Sequence, residues 1–244
     1  FETDLQIKHQ LNFKCDVYCN EAFSASHRNH YSITQINANE YCYGNCFMKE
    51  IEMFNMILKS NGSKITAIIG GSKVSDKIPM LEKLSTIVSY IFVAGNNINC
   101  IEENKSFFDS ISGNKAKIIY ASDGFGNASP NDTPLYIENI EERSNNLIFD
   151  IGPKSLNTLS RLINETNIVF WNGALGISEH IFYKNSSELL IHILNNSNSK
   201  VIVGGGDTAG FVRKYENKFH HISTGGGASI DYLSNGVLDG IKYK

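Results

Sequence analysis

Lys200-Val-Ile-Val-Gly-Gly-Gly-Asp-Thr-Ala-Gly210 and Ile222-Ser-Thr-Gly-Gly-Gly-Ala-Ser229 decide the reading of this chain. Each glycine triplet follows a short apolar run and precedes a segment that reads as helix. A buried strand, a glycine turn and a helix start leave backbone N–H groups unpaired at the positive end of a helix dipole, which is a seat for phosphate. Two such seats close together suit a polyphosphate, or a phosphoryl group in transfer.

The same grammar extends towards the N-terminus. In Lys64-Ile-Thr-Ala-Ile-Ile-Gly-Gly-Ser-Lys-Val-Ser-Asp-Lys-Ile78 the apolar run through Ile69 reads as a buried strand and Gly70-Gly71 as its turn. The following helix is expected to carry Lys73 and Lys77 on one face, where they suit a phosphate chain; a solvated helix face is the alternative. No Gly-Lys-Ser/Thr follows these glycines, so a Walker loop is excluded. Further strands are expected at 90–95, 117–120, 167–173, 201–203 and 219–222, with helices at 79–89, 186–194 and 208–215 and from 229. Residues 101–114 read as polar and helical, 122–146 as irregular, and 147–153 as the entry to a helix reaching Arg161 and Ile163. Strands alternate with helices and are apolar throughout, so both sheet faces are covered. The expected fold class is α/β: a three-layer, doubly wound parallel sheet of Rossmann-like type.

At 244 residues, with 41% hydrophobic and 19% charged residues, the chain can bury a full core and lacks the signature of disorder. A net charge of −3 gives no basic field, which argues against nucleic acid, and no apolar run is long enough to span a bilayer. A soluble, cytoplasmic protein without membrane partners is expected. Phe1 stands where a Met would open a complete product, so a longer product is expected.

Towards the N-terminus, a strand beginning at residue 13 runs into the polar turn 24–30, where His27, Arg28 and His30 make a small cationic cluster; a solvated loop is the alternative. Phe47, Ile51, Phe54 and Leu58 recur at helical spacing through 45–60, with Lys49, Glu50 and Glu52 between them and Asn61-Gly62 as the stop. This helix is a linker candidate. The five cysteines are odd in number and read as free thiols in a reducing compartment. Cys15 and Cys19 look like strand residues on one face, some 13 Å apart, too far to share a tetrahedral zinc.

Gly204-x-Gly206-x-x-Ala209 formally fits a dinucleotide fingerprint, but it falls near the end of the sheet and no carboxylate ends the next strand, so the NAD reading is set aside. Asp207 at the turn is either an N-cap or the holder of a magnesium ion that bridges phosphate oxygens.

Six ordered segments resemble the motifs of the phosphoglycerate kinase family: Asp16-Val-Tyr-x-Asn-Glu-Ala-Phe-x-x-x-His-Arg-x-His30, Gly70-Gly-Ser-Lys-Val-Ser-Asp-Lys77, Asp150-Ile-Gly-Pro-Lys-Ser155, Trp171-Asn-Gly-Ala-Leu-Gly-Ile-Ser-Glu179, Gly204-Gly-Gly-Asp-Thr208 and Ser223-Thr-Gly-Gly-Gly-Ala-Ser229. The resemblance implies two α/β domains joined by a helix: 1–44 as the end of an N-terminal phosphoglycerate-binding domain, 45–60 as the interdomain helix, and 61–244 as the nucleotide-binding domain. It implies reversible phosphoryl transfer between 1,3-bisphosphoglycerate and Mg-ADP, giving 3-phosphoglycerate and ATP, as in glycolysis, by a monomer. By the same resemblance, Arg28 binds the acid substrate and Lys73 stands by the transferring phosphoryl. Lys77 meets the nucleotide phosphates and Glu179 the ribose. Gly205, Gly206, Asp207 and Thr208 form the phosphate loop, with Asp207 on Mg²⁺, and Gly225, Gly226 and Gly227 stabilise the group in flight. The chain departs from the family pattern at Gly95-Asn96-Asn97, and with Ile148 for a glycine, Ala174 for a proline, Ser178 for a phenylalanine and Glu21 for an aspartate. These changes bear on the base more than on the phosphates, and they leave a non-catalytic nucleotide-binding or interaction protein as the alternative.

Overall fold

The computed structural model describes residues 14–60, 62–71 and 75–241. Strand β1 (Lys14–Asn20) passes through a 3-10 turn at Phe23–Ala25 and the one-turn helix α1 (Tyr31–Thr34) to β2 (Asn37–Tyr43), its parallel partner. Helix α2 (Asn45–Leu58) leads to β3 (Ile65–Ile69), then α3 (Ile78–Ser85), β4 (Tyr90–Val93), α4 (Lys105–Ile111) and β5 (Lys117–Tyr120). Three strands follow, β6 (Gly124–Asn127), β7 (Leu135–Ile137) and β8 (Leu147–Ile151), and then α5 (Pro153–Asn164), β9 (Ile168–Asn172) and α6 (Asn185–Asn195). The last elements are β10 (Lys200–Gly204), α7 (Gly206–Val212), β11 (His221–Ile222) and α8 (Gly227–Asn235).

A six-stranded parallel sheet in the order β11-β10-β9-β3-β4-β5 forms the centre. Alternation along its strands feeds two cores. Ile65, Ala67, Ile69, Phe170 and Ile202 point to one, shared with Phe54 of α2, Leu81 of α3 and Tyr232 of α8. Ile68, Val169, Trp171, Val201 and Val203 point to the other, shared with Leu159 of α5, Leu190 of α6 and Phe211 of α7. Helices on both faces make three layers, and they explain why these strands read as unbroken apolar runs.

Three local expectations are corrected. The stretch 122–146 is not irregular: β6 pairs antiparallel with both β7 and β8 in a separate three-stranded sheet. Its sequence hid it because Gly124 and Gly126 are strand residues. A Cβ at Gly126 would collide with the Leu147 carbonyl oxygen, so only glycine permits the approach. The polar Asn37-Ala-Asn-Glu-Tyr-Cys-Tyr43, unassigned from sequence, is β2; most of it is not buried, so no apolar pattern marked it. Lys77 lies in a 3-10 turn, Ser75–Lys77, rather than on a helix face. Lys73, residues 1–13 of the first proposed segment and the Asn61 helix stop lie outside the described residues.

On α2 the buried stripe runs through Phe47, Glu50, Met53, Phe54 and Ile57. Ile51 and Leu58 are only partly buried, and Glu50, expected among the exposed positions, is 7% exposed. Residue 50 is three positions after Phe47 and four before Phe54, so it shares their face.

Candidate functional site

Five of the helix starts fall into two groups. Three N-termini are filled by carboxylates of the chain itself. Glu21 accepts the Cys46 and Phe47 N–H groups at the start of α2, at 2.9 and 3.2 Å, and these bonds hold its carboxyl below the usual range. Asp123, fully buried, accepts Lys154 N at 3.0 Å, Ser155 N at 2.7 Å, the Ser155 hydroxyl at 2.6 Å and the Tyr136 hydroxyl at 2.9 Å, closing α5. Asp150 accepts Ser186 N at 3.1 Å and the Ser186 hydroxyl at the start of α6, and burial pushes it up to about 7 against those bonds. The Gly152-Pro-Lys-Ser155 segment is therefore spoken for by Asp123.

Helices α7 and α8 differ. Gly205 and Gly226 precede them at φ +92° and +54°, and neither supplies a side-chain cap. Both glycines are at positive φ, which a side chain would make costly. These two helix starts are left for something the chain does not supply.

They open on one cavity of about 510 Å³ across the carboxyl ends of the sheet strands, where open α/β sheets place their ligands. Lys77, Gly205, Gly206, Asp207, Thr208 and Gly226 line one part of it. Asn96, Ile148, Phe149, Ser178 and Glu179 line another. The floor is main chain. Gly71 N donates to Ala174 O at 2.8 Å and Gly70 N to Asn172 O at 2.9 Å, while a Cβ at Gly70 or Gly173 would collide with the opposing carbonyl oxygens.

Each side chain is held by its element. Lys77 donates to the Gly70 carbonyl; burial lowers its pKa to about 8, opposed by the charges of Asp76 and Asp207. Asp207 is exposed in the first turn of α7. Thr208 is buried and its hydroxyl accepts Gly173 N at 2.9 Å, pinning α7 to the floor. Glu179 is exposed and accepts the Ser178 hydroxyl at 2.7 Å. Among the described residues no three His, Cys, Asp or Glu gather into a metal site.

The second triplet is divided. Gly226 lines the cavity. Gly225 gives its N–H to Ser223 Oγ at 3.0 Å and packs where a Cβ would meet Phe23. Gly227 approaches His27: a Cβ there would lie 3.1 Å from His27 Nε2. Arg28, exposed, donates from Nε to the same His27 nitrogen at 3.3 Å. The cationic turn is thus joined to the α8 start through His27.

Sequence reasoning did not see what steadies that triplet. Glu50 of α2 pairs with His221 Nε2 at 2.8 Å and accepts Thr224 N at 3.3 Å, so the long helix grips the segment leading into the glycines. The available signal was the position of Glu50 on the Phe47–Phe54 face. Asn97 is also internal: buried, it donates to Gly70 O at 3.0 Å.

Fold and pocket together define a doubly wound α/β protein with a cavity at the carboxyl edge of its sheet, onto which two uncapped helix starts open. The profile of the family described as phosphoglycerate kinase matches residues 2–236, and this chain belongs to that family of phosphotransferases. It is 31% identical to a phosphoglycerate kinase of Wolbachia pipientis subsp. Culex pipiens, covering 99% of this chain and 68% of that protein. It is 32% identical to one from Wolbachia sp. subsp. Brugia malayi, covering 98% and 67%. The solved phosphoglycerate kinase of Coxiella burnetii superposes with a TM-score of 0.83 at 26% identity over 92% of this chain and 64% of that one. The Pyrococcus horikoshii enzyme shares the fold, with a TM-score of 0.78 at 19% identity over 92% of this chain and 62% of that one. The chain spans about two thirds of the length of the relatives it matches.

Proposed function

We propose that this chain carries the nucleotide side of a phosphoglycerate kinase, moving a phosphoryl group between 1,3-bisphosphoglycerate and ADP, with ADP or ATP in the 510 Å³ cavity. The observation that carries this reading is the pair of glycine-opened helix starts on one cavity, where the chain's other carboxylate-bonded helix starts are already closed. In this reading the α7 start and Lys77 take the nucleotide phosphates, Glu179 accepts from the ribose hydroxyls, and the N–H groups of Gly226 and Gly227 face the phosphoryl as charge develops on it. Lys73 belongs beside that group by family motif alone. His27 and Arg28 stand on the far side of Gly227, suited to an anionic acid substrate. Magnesium would fit as an ion held by the Asp207 carboxylate at the α7 start and otherwise by phosphate oxygens and water; Asp76 and Glu179 also line the cavity. When bound it neutralises phosphate charge.

Residues 1–44, 45–60 and 61–244 are proposed as acid-substrate segment, connecting helix and nucleotide-binding domain. No helix among the described residues is long and apolar enough to cross a membrane, and a cytoplasmic monomer is the proposed setting.

Calorimetric titration of the folded chain with ADP should show binding that depends on Mg²⁺, and a folded sample with none overturns the nucleotide assignment. Beyond the turn with His27 and Arg28 the described residues offer few groups for the acid substrate, so turnover by the 244-residue chain alone should be far below that of its full-length relatives. Relative-like turnover would refute the half-site division. A non-catalytic nucleotide-binding descendant is the second reading, favoured by Ile148, whose buried side chain occupies the base-side wall. Its signature would be nucleotide binding without transfer even when the missing portion of the relatives is restored.

A further inference from the structure

The cavity explains none of the five cysteines, and strand register and exposure single out two of them. β1 and β2 pair in parallel with Cys19 directly opposite Cys42. Neighbouring parallel strands lie roughly 4.8 Å apart and direct facing side chains to the same side, inside the roughly 4.4–6.8 Å Cα window that a disulfide spans. Both residues are exposed. The Cys42 thiol beside it, then burial and the Glu21 charge, raise the Cys19 pKa.

The other three cysteines are engaged elsewhere. Cys15 Sγ reaches the Asn37 carbonyl at 3.9 Å. The Glu21 carboxylate beside the Cys46 thiol raises its pKa, and burial chiefly raises that of the Cys100 thiol, beside Glu103. No third metal-ligating side chain joins Cys19 and Cys42 to make a metal site among the described residues.

We propose that Cys19 and Cys42 form a cross-strand dithiol that hydrogen peroxide converts reversibly to a disulfide, stapling together the carboxyl ends of β1 and β2, from which the turn carrying His27 and Arg28 and helix α2 respectively emerge. The chemistry closes without another cofactor. The Cys19 thiolate attacks one peroxide oxygen, the O–O bond breaks, and a sulfenic acid forms as water is released. The Cys42 sulfur then attacks the sulfenic sulfur; the S–S bond forms and the oxygen leaves as a second water, taking the Cys42 proton. Two thiols lose two electrons and two protons, which the peroxide accepts. The raised Cys19 pKa makes it a slow target for isolated reagents, whereas the opposed Cys42 sulfur captures the sulfenic acid without diffusion.

The staple has a definite mechanical place. Cys19 precedes Asn20 and Glu21, and Cys42 precedes Gly44, whose N–H donates to Asn20 O at 3.0 Å just before α2 begins. Oxidation would therefore fix the strand ends from which both the His27 turn and α2 emerge. It would also close a ring in the unfolded chain, which favours the folded state.

The test is oxidation of the purified chain with a stoichiometric excess of hydrogen peroxide, followed by maleimide counting in denaturant and peptide mapping. Of the five thiols, three should remain, with one linked peptide joining Cys19 to Cys42 and lacking two hydrogens, reversed by dithiothreitol. Cys19→Ser and Cys42→Ser should each abolish the linkage, while Cys15→Ser, Cys46→Ser and Cys100→Ser retain it. The oxidised chain should melt several degrees above the reduced one, a gain absent from Cys19→Ser. Retention of all five thiols, a linkage to any of the other three cysteines, or a disulfide-linked dimer in its place overturns the proposal.

Discussion

The starts of α5 and α6 and those of α7 and α8 present the same dipole to opposite ends. At α5 and α6 the chain answers it with its own buried carboxylates, Asp123 and Asp150. At α7 and α8 glycines open the turn and no side chain answers. The first pair of termini is closed by the chain itself, and the second is left open on the cavity, as the proposed nucleotide site requires. An anion site is therefore recognised less by a helix start than by the absence of an internal anion at it.

The comparison can be broken most forcefully at Asp123. Asp123→Ala would leave the buried Ser155 N–H, the part-buried Lys154 N–H and the Tyr136 hydroxyl without this acceptor, and should cost about 2–3 kcal/mol in chemical denaturation, with α5 losing amide protection first. Asp150 gives a pH signature. Its folded pKa of about 7 stands above the ordinary value of 3.8, so its ionisation works against folding. Stability relative to Asp150→Asn should fall as pH rises from about 4 to about 7, level off above that, and amount to ~4 kcal/mol at most. Unfolding curves for both proteins across that range check the sign. Glu21 is the exposed member of the group: Glu21→Ala should give only a small drop in denaturation midpoint. The sharpest contrast comes from filling an open seat. A Cβ at Gly206 meets nothing within 4 Å, so Gly206→Asp places a carboxylate in the first turn of α7 without a clash. Stability should change by less than about 0.5 kcal/mol. Nucleotide affinity, by calorimetry, should fall at least roughly tenfold through charge repulsion.

Much of this was legible in the residues. Apolar strands such as Ile65–Ile69 announce a sheet covered on both faces, and the glycine triplets announce the helix starts at its edge. The cavity brings together Lys77, Glu179, Gly205, Gly206, Asp207, Thr208 and Gly226, which sequence alone had named from separate segments. What stayed hidden depended on distant partners. Asp123 reads as a loop residue until Lys154 and Ser155 fold onto it, and Glu50 reads as solvent-facing until His221 arrives. The β6–β8 sheet escaped because its glycines serve a close backbone approach rather than a turn. Sequence separations of 31, 32 and 171 residues leave no local pattern to read.

The floor of the cavity, where Gly70, Gly71, Gly173 and Ala174 meet peptide to peptide, has one more implication. Peptide units are the same whatever residue carries them, and at Gly70 and Gly173 a side chain is barred by collision with the opposing carbonyl oxygens. Drift in this lineage can thus repaint only the walls, at positions such as Asn96, Ile148 and Ser178, while the surface beneath a bound molecule stays chemically constant. A divergent member of the family can change which molecule it prefers long before it loses the shape of the berth.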